Sequence, residues 1–485
     1  MDYGPDIEEK NGRYNVKILL YLLSFKCEQK RQNQEDLTMR ESRAVQSSIF
    51  DFYSQNEHGQ MLCALSDLLD KHVAILPELE QDLSGATVPL TGRCGLSVES
   101  VFRCLVLKTI LQISYRKLAF YLSDSPSYRC FARLRASQFP GRSSLQSGIR
   151  KIRPETLQKI HQLLCSQWHE DGSIDDTKVR IDSTVVEADI APPSDSQLLE
   201  DCVRVLTRQL VICKRQTGHN VRFTDQRSKA RKLRFAIFYA KESEKQALYP
   251  QLLTCAFVVL KQIDRALSAL EAIGYHRDSA QWNWCERARH FRQLLCKVIH
   301  QTQQRVYENI SVPANEKIFS VFEPHTDIIV KGARDVQYGH KINLATDAHG
   351  LVLYLSVLDG NPADKVLYKP VLERHEKLFG QLPHTTVADG GYASLSNVTD
   401  ARAKGVTRAA FHKRAGLGYH LMGVKKKTLA SLRAFRAGIE GNISELKRAF
   451  GLSKARWKNR DGFDAFVWAG VISYNLVRMA RLSSA

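Results

Sequence analysis

The sequence predicts a mixed α/β sheet flanked by helices, preceded by an all-helical segment and interrupted after its first strand by a long helical insertion. Three observations carry this. Across residues 48–169 apolar side chains recur at helical steps, beginning with Ile49, Phe50, Met61, Leu62, Leu65, Leu68 and Leu69. Residues 179–187 are then rich in β-branched side chains and run into acidic and Pro-Pro sequence, the first strand signal of the chain. Beyond Pro324 two strand patterns flank Asp347-Ala348-His349-Gly350 as a hairpin, and helices and strands then alternate, which argues for one mixed sheet.

The helical segment has internal order. Helices over 98–112 and 115–122 meet at Gln112-Ile113-Ser114, a joint short enough for a helix-turn-helix, with Ser114 placed as an N-cap. Arg103, Lys108, Arg116 and Lys117 give this pair the positive charge that duplex DNA requires. Two further short helices lead to Trp168, and Asp171-Gly172 closes the region.

Between the first strand and the hairpin, residues 194–310 keep a helical period through Leu198, Leu199, Cys202, Val203, Leu206 and Leu210, and again from Leu248 to Leu270. A structureless connection of this length is implausible, so the block is a helical insertion with its own packing. Its basic run, Arg227 to Arg234, reads as a solvated face or a contact surface. After the hairpin come a helix over 365–379, a strand over 385–388, a helix over 394–404 and a strand over 407–411. The predicted division is 1–45 as an N-terminal extension, with translation starting at Met39, 46–174 as a helical DNA-binding domain, 191–315 as the insertion, and 175–190 with 316–482 as the sheet domain.

Composition narrows the function classes. With 485 residues, 44% of them hydrophobic, the chain buries a real core. Its net charge is +19, and residues 401–485 alone hold 18 Lys and Arg against 4 Asp and Glu. A field so lopsided points to a phosphate-rich partner, with nucleic acid leading. The eleven cysteines lack a CxxC pair or zinc spacing and read as reduced thiols of a cytoplasmic protein. The apolar run over 18–25 is too short to span a bilayer, so no membrane anchoring is expected.

The last helix pattern carries the chemistry. Leu432, Phe435, Ile439, Ile443, Leu446 and Phe450 form its core stripe, while Arg436, Glu440 and Lys447 line up on a separate face. Two further carboxylates have strand contexts: Asp182 inside the first strand, where a charge needs a partner, and Asp389 where a later strand ends in Gly390-Gly391. Converging within about 5 Å, such carboxylates would repel by roughly 3 kcal/mol per pair at an effective dielectric near 20. Divalent cations would relieve that, and hard ions such as Mg²⁺ favour oxygen ligands. Arg436 and Lys447 would then neutralise neighbouring DNA phosphates. Among competitors, Asp359 reads as a turn residue, His340 and Lys341 face the site or decorate an exposed strand, and Glu445 points away from Glu440.

These residues resemble a known family, the DDE transposases of bacterial insertion sequences, whose catalytic core is RNase H-like. The family's Tyr-x2-Arg-x3-Glu-x6-Lys signature is matched by Arg436, Glu440 and Lys447, with Arg433 at the tyrosine position. Asp182-Ser183-Thr184 looks like its first-acid strand and Asp389-Gly390-Gly391-Tyr392 like its second. The likeness extends to the helices over 97–135 and the tail over 451–482, and so covers most of residues 46–482.

The resemblance implies binding to the terminal inverted repeats of a mobile element, cleavage at its ends and joining to target DNA. It further implies Asp182, Asp389 and Glu440 as catalytic ligands of two Mg²⁺ ions, with Mn²⁺ as a substitute. Arg433, Arg436, Lys447, Arg116 and Lys117 would contact DNA, and a homodimer would assemble on paired ends. The alternatives are an endonuclease of the same fold without strand transfer, and a non-catalytic DNA-binding descendant.

Overall fold

The computed structural model describes residues 57–84, 95–331, 335–412 and 416–483. The N-terminal extension and the start expected at Met39 lie outside them. The described residues begin with helices α1 (Glu57–Lys71), α2 (Leu76–Leu83), α3 (Val98–Ile110), α4 (Tyr115–Asp124), α5 (Pro126–Phe131), α6 (Arg142–Arg150) and α7 (Pro154–Glu170). Local chemistry sets their starts. The Ser97 and Ser114 hydroxyls accept from the N–H groups of Ser100 and Lys117, and Pro126 and Pro154 occupy first turns. Helix α5 had no signal in the sequence, and α7 is a long helix of 17 residues.

Of the cations assigned to the DNA-facing side of this hairpin, Arg103 is inside the protein and Lys108 is half-buried. Arg103 is fully buried and donates to Glu99 (2.9 Å) and Asp70 (2.8 Å), and burial draws its pKa down to about 10. Lys108 lies over the rings of Tyr115 (4.8 Å) and Trp457 (5.6 Å), with burial lowering its pKa to about 8. The reason is that α3 is enclosed all round, every residue from Val98 to Leu107 being buried. Arg116 and Lys117, on α4, are exposed.

The sheet has seven strands: β1 (Lys178–Ala188), β2 (Asp327–Lys331), β3 (Asp335–Thr346), β4 (Val352–Val357), β5 (Thr385–Ala388), β6 (Arg408–Phe411) and β7 (Lys454–Ala455). Strand β1 is central. It pairs antiparallel with β3, parallel with β5 along its first half, and parallel with β7 at its end, while β6 continues beyond β5. Strands β2 and β4 share the far edge of β3. The short β2 and β7 escaped sequence reading because neither shows a period long enough to count.

Helices α12 (Tyr368–Phe379), α13 (Leu395–Ala403), α14 (Lys426–Ala449) and α15 (Arg460–Ser483) flank the sheet. Helix α15 runs against α1, α3, α7 and β4, so the N-terminal helices and the sheet share one continuous apolar core. The β4 edge is sealed by side chains: Asn475 exchanges two hydrogen bonds with the Val352 backbone (2.9 and 2.8 Å), and His161 Nε2 reaches Val352 O at 2.8 Å.

Between β1 and β2 stand α8 (Asp195–Thr217), α9 (Arg227–Tyr239), α10 (Glu242–Ile273) and α11 (Ala280–Val306). They enclose a second apolar core around Leu199, Leu252, Val259, Trp284, Leu295 and Val298. Entry and exit of this insertion are tied together. Asp195 binds Arg305 (2.8 Å) and Gln301 (3.1 Å), and Gln301 accepts from Ile318 N at 2.9 Å. Cys202, Cys213, Cys255 and Cys285 are buried free thiols of this core. No helix among the described residues is long and apolar enough to cross a membrane.

Two outcomes follow. Replacing Arg103 by Ala removes one of the two guanidinium partners of the buried Glu99, leaving Arg133 at 3.1 Å, and empties a buried site, and is expected to cost about 2–4 kcal/mol; chemical denaturation showing a loss below about 1 kcal/mol would overturn this account. The second concerns Asp347, fully buried after β3, whose Oδ1 accepts from Leu351 N (2.7 Å) while Oδ2 has no partner. Burial pushes its carboxyl from 3.8 up to about 6. A raised folded pKa means a contribution fully present below the unfolded value and lost as pH rises through the folded one. Asp347→Asn should therefore abolish a decline in stability between about pH 4 and pH 6 and stabilise the protein by roughly 1–3 kcal/mol at neutral pH. Melting temperatures measured across that range check it, parallel curves for the two proteins being the contrary result.

Candidate active site

The site begins with strand register. Ile181 on β1 pairs with Ala388 on β5, so Asp182 and Asp389, each one residue further on, stand side by side. Asp182 lies within β1, its side chain 16% exposed, with Oδ1 accepting from Ser183 N at 2.8 Å. Asp389 follows the last residue of β5 and opens a short turn over Gly390–Tyr392. Glu440 comes from α14.

What holds α14 against these strands is Arg180. Two residues before Asp182, it shares the face of β1 that carries the acid. Its buried guanidinium donates to Thr346 Oγ1 on β3 (2.9 Å), Phe435 O (3.1 Å) and Asn442 Oδ1 (2.9 Å) on α14, and the Phe435 ring lies 4.9 Å away. Burial lowers the Arg180 pKa, partly offset by Asp347. A Cβ on Gly438 would sit 2.0 Å from Arg180 Nη1, so only glycine permits this approach. Asn442 in turn donates to Tyr474 OH (2.8 Å), which donates to Gly350 O (2.9 Å), tying α14 to α15 and the hairpin.

With α14 so placed, Arg436 enters among the acids. Nη2 lies 2.9 Å from Asp182 Oδ2 and 4.0 Å from Asp389 Oδ1, and Nη1 lies 2.7 Å from Glu440 Oε1. All three sequence-selected carboxylates therefore gather on one guanidinium. Arg436 is thus turned inward to the acids, its side chain being only 11% exposed. The reason is electrostatic, since an unrelieved acid set recruits the nearest cation. Arg433 is exposed one turn before, and Lys447 is half-buried two turns beyond Glu440. Gln112, in the turn between α3 and α4, donates to Arg448 O (2.5 Å), so the helical hairpin bearing Arg116 and Lys117 abuts the end of α14.

The acids do not form the tight cage expected of them. Among the described residues, the one set of three potential ligands with atoms within 4.8 Å of one another is Asp327, His340 and Asp359. Its atoms are already engaged. His340 is fully buried, with Nδ1 3.0 Å from Asp327 and Nε2 2.8 Å from His325. Asp327 accepts from Gly360 N at 2.6 Å, and Arg460 occupies the middle, paired with Asp359 and with Asp464 (3.0 Å). This is a structural knot between the sheet and the start of α15, and it places His340 away from the Asp182 site. Glu445 likewise binds Arg478 (3.3 Å) and Arg481 (3.2 Å) of α15.

Sequence reading named Lys341 but missed the second layer it belongs to. Lys341 is buried and binds Asp364 Oδ1 (2.6 Å), which also accepts from Ser183 Oγ (3.0 Å). A Cβ on Gly391 would lie 2.7 Å from Asp364 Oδ2, so Asp364 packs on the turn that carries Asp389. Tyr392, fully buried, donates to Asn343 Oδ1 at 2.7 Å, and burial raises its hydroxyl pKa. Arg180 could have been found by strand alternation from Asp182; Asp364 opens a single 3-10 turn, too short to leave a periodic signal.

Comparison with known proteins fits this arrangement. Residues 329–476 match the transposase DDE domain and residues 50–151 match a transposase domain (DUF772), together just over half of the chain. No curated protein and no solved structure matches. The first match contains Asp389 and Glu440 but not Asp182, which reaches the site across the insertion through the pairing of β1 with β3 and β5. An RNase H-like core is the fold this domain implies, in keeping with the mixed sheet. The chain is a member of the DDE-type transposases of insertion sequences.

Proposed function

We propose that the protein binds the terminal inverted repeats of its own element, cuts DNA at those ends and joins them to target DNA, with Asp182, Asp389 and Glu440 as the catalytic acids. The observation that carries this is the arrival of three carboxylates from β1, β5 and α14 around a single guanidinium. Their donor set is all oxygen, as Mg²⁺ or Mn²⁺ prefers. It opens toward solvent, Asp389 and Glu440 being 44% and 62% exposed, while Arg436 Nε is buried without a partner, so the cation now among the acids is incompletely satisfied there. With Arg436 displaced from between them, the three acids would hold the divalent ions. Such ions, when bound, supply activation of water or a 3′-hydroxyl and stabilisation of the leaving oxygen.

The chain's own groups do the positioning. Arg436, released from the acids, turns its guanidinium to a phosphate, for which its bidentate geometry is suited. Arg433 and Lys447, seven residues to either side of Glu440, continue a positive line along α14. Arg116 and Lys117 hold the flanking duplex from the helical hairpin. Two copies would engage paired ends, in the cytoplasm where the element resides.

Purified protein, Mg²⁺, labelled duplex carrying the terminal repeats and a target plasmid should yield both cut ends and joined products. Nicks without joining would make the protein a hydrolytic nuclease, and inert DNA would reject the catalytic reading. Asp389→Asn and Asp182→Asn should each lower the cleavage rate by about 10³-fold or more, with DNA affinity kept within about twofold. The role of Arg436 has a readout apart from catalysis. Arg436→Ala leaves the acids uncompensated, so its stability should fall by roughly 1–3 kcal/mol. Mg²⁺ should then raise its melting temperature more than that of the wild type, and equal metal-induced shifts would contradict the assignment.

A further inference from the structure

We infer that the outer face of α9 in the insertion binds a DNA strand whose bases are unstacked, an inference that rests on the proposed action on DNA and extends it to a second surface. Charge is the first observation. Residues 202–241 hold 11 Lys and Arg against a single acid, Asp225, whereas the rest of the insertion is nearly balanced. A face that merely keeps a protein soluble mixes both signs.

Helix geometry then sorts this charge. Ala230, Leu233 and Ile237 point into the insertion core, which turns Arg231, Lys232, Phe235, Phe238 and Tyr239 outward. Arg231 and Lys232 are exposed and, among the described residues, ion-paired to no carboxylate. The aromatic rings beside them are also open to solvent, Phe235 at 38%, Phe238 at 70% and Tyr239 at 78%. Three rings on one short helix face are costly to leave in water unless something covers them.

The combination selects the occupant. A second copy of the chain across a two-fold axis would set Arg231 and Lys232 against their own duplicates, which is repulsive. A nucleic-acid strand supplies phosphates for the cations and base faces for the rings. The Phe235 ring already has guanidinium groups on it, with Arg234 Cζ 4.1 Å and Arg231 Cζ 5.9 Å from its centre, where the basic first half of the helix meets its aromatic end. Duplex DNA hides its base faces, so the rings specify a strand that is melted or frayed. The insertion leaves the sheet at the end of β1, six residues beyond Asp182 and thus about 20 Å along the strand.

The test uses the full chain and fluorescein-labelled DNA of about 30 nucleotides, one probe a thymine homopolymer strand and the other a random-sequence duplex, read by anisotropy. Replacing Phe235, Phe238 and Tyr239 by Ala should weaken strand binding about tenfold or more and duplex binding by less than about threefold. Arg231→Gln with Lys232→Gln should weaken both and reduce the slope of log affinity against log salt by about 1.4 on the strand. Should the triple variant melt early, Tyr239→Ala alone carries the test, since that side chain is almost free of the fold. Unchanged strand affinity, or equal losses on both probes, would overturn the inference. So would a wild-type dimer that the aromatic variant converts to monomer with binding intact. Failure of the catalytic reading looks different: wild-type protein that binds the strand yet never cuts, while the α9 effects persist.

Discussion

The Arg180 clamp is the interaction on which the site depends. Strand β1 is hydrogen-bonded on both edges, so its side chains have fixed heights, and Arg180 converts one of those heights into a position for α14. The helix has no covalent connection to β1 nearby, and more than 200 residues separate them in sequence. A guanidinium bound at once to β3, to the helix backbone and to Asn442 removes the sliding freedom that such a remote pairing would otherwise retain. Glu440 and Arg436 reach the strands only because that register is set.

The clamp also explains why a second, tighter cluster of potential ligands is not the functional one. At Asp327, His340 and Asp359 each side chain is engaged by the fold, through Gly360, His325 and Arg460, and Phe463 packs on the rings of His325 and His340. At Asp182 the opposite holds. The acids are under-compensated, two of them open to water, and the cation among them keeps an unpaired buried nitrogen. Strain of this electrostatic kind belongs where a ligand is to be received.

Much of this was legible from residues alone, because the informative patterns are periodic. The working face of α14 follows from counting between Arg436, Glu440 and Lys447, and Asp182 stands out as a charge within a β-branched run. Aperiodic or solvent-dependent features were not legible. Arg103 looks like a surface cation until α3 is seen to be enclosed on every side there. The pairing of Arg436 with all three acids was not legible either, since spacing reveals which residues share a face but not which of them a side chain prefers. Lys341 and Asp364 meet only through folding of a loop.

The tied ends of the insertion have a consequence for how such proteins diversify. Because Asp195, Gln301, Arg305 and Ile318 close the excursion at its base and a separate apolar centre fills it, the module behaves as a cassette plugged into a socket. Its exterior can drift, acquire new specificities or be exchanged wholesale while the chemistry underneath is inherited untouched.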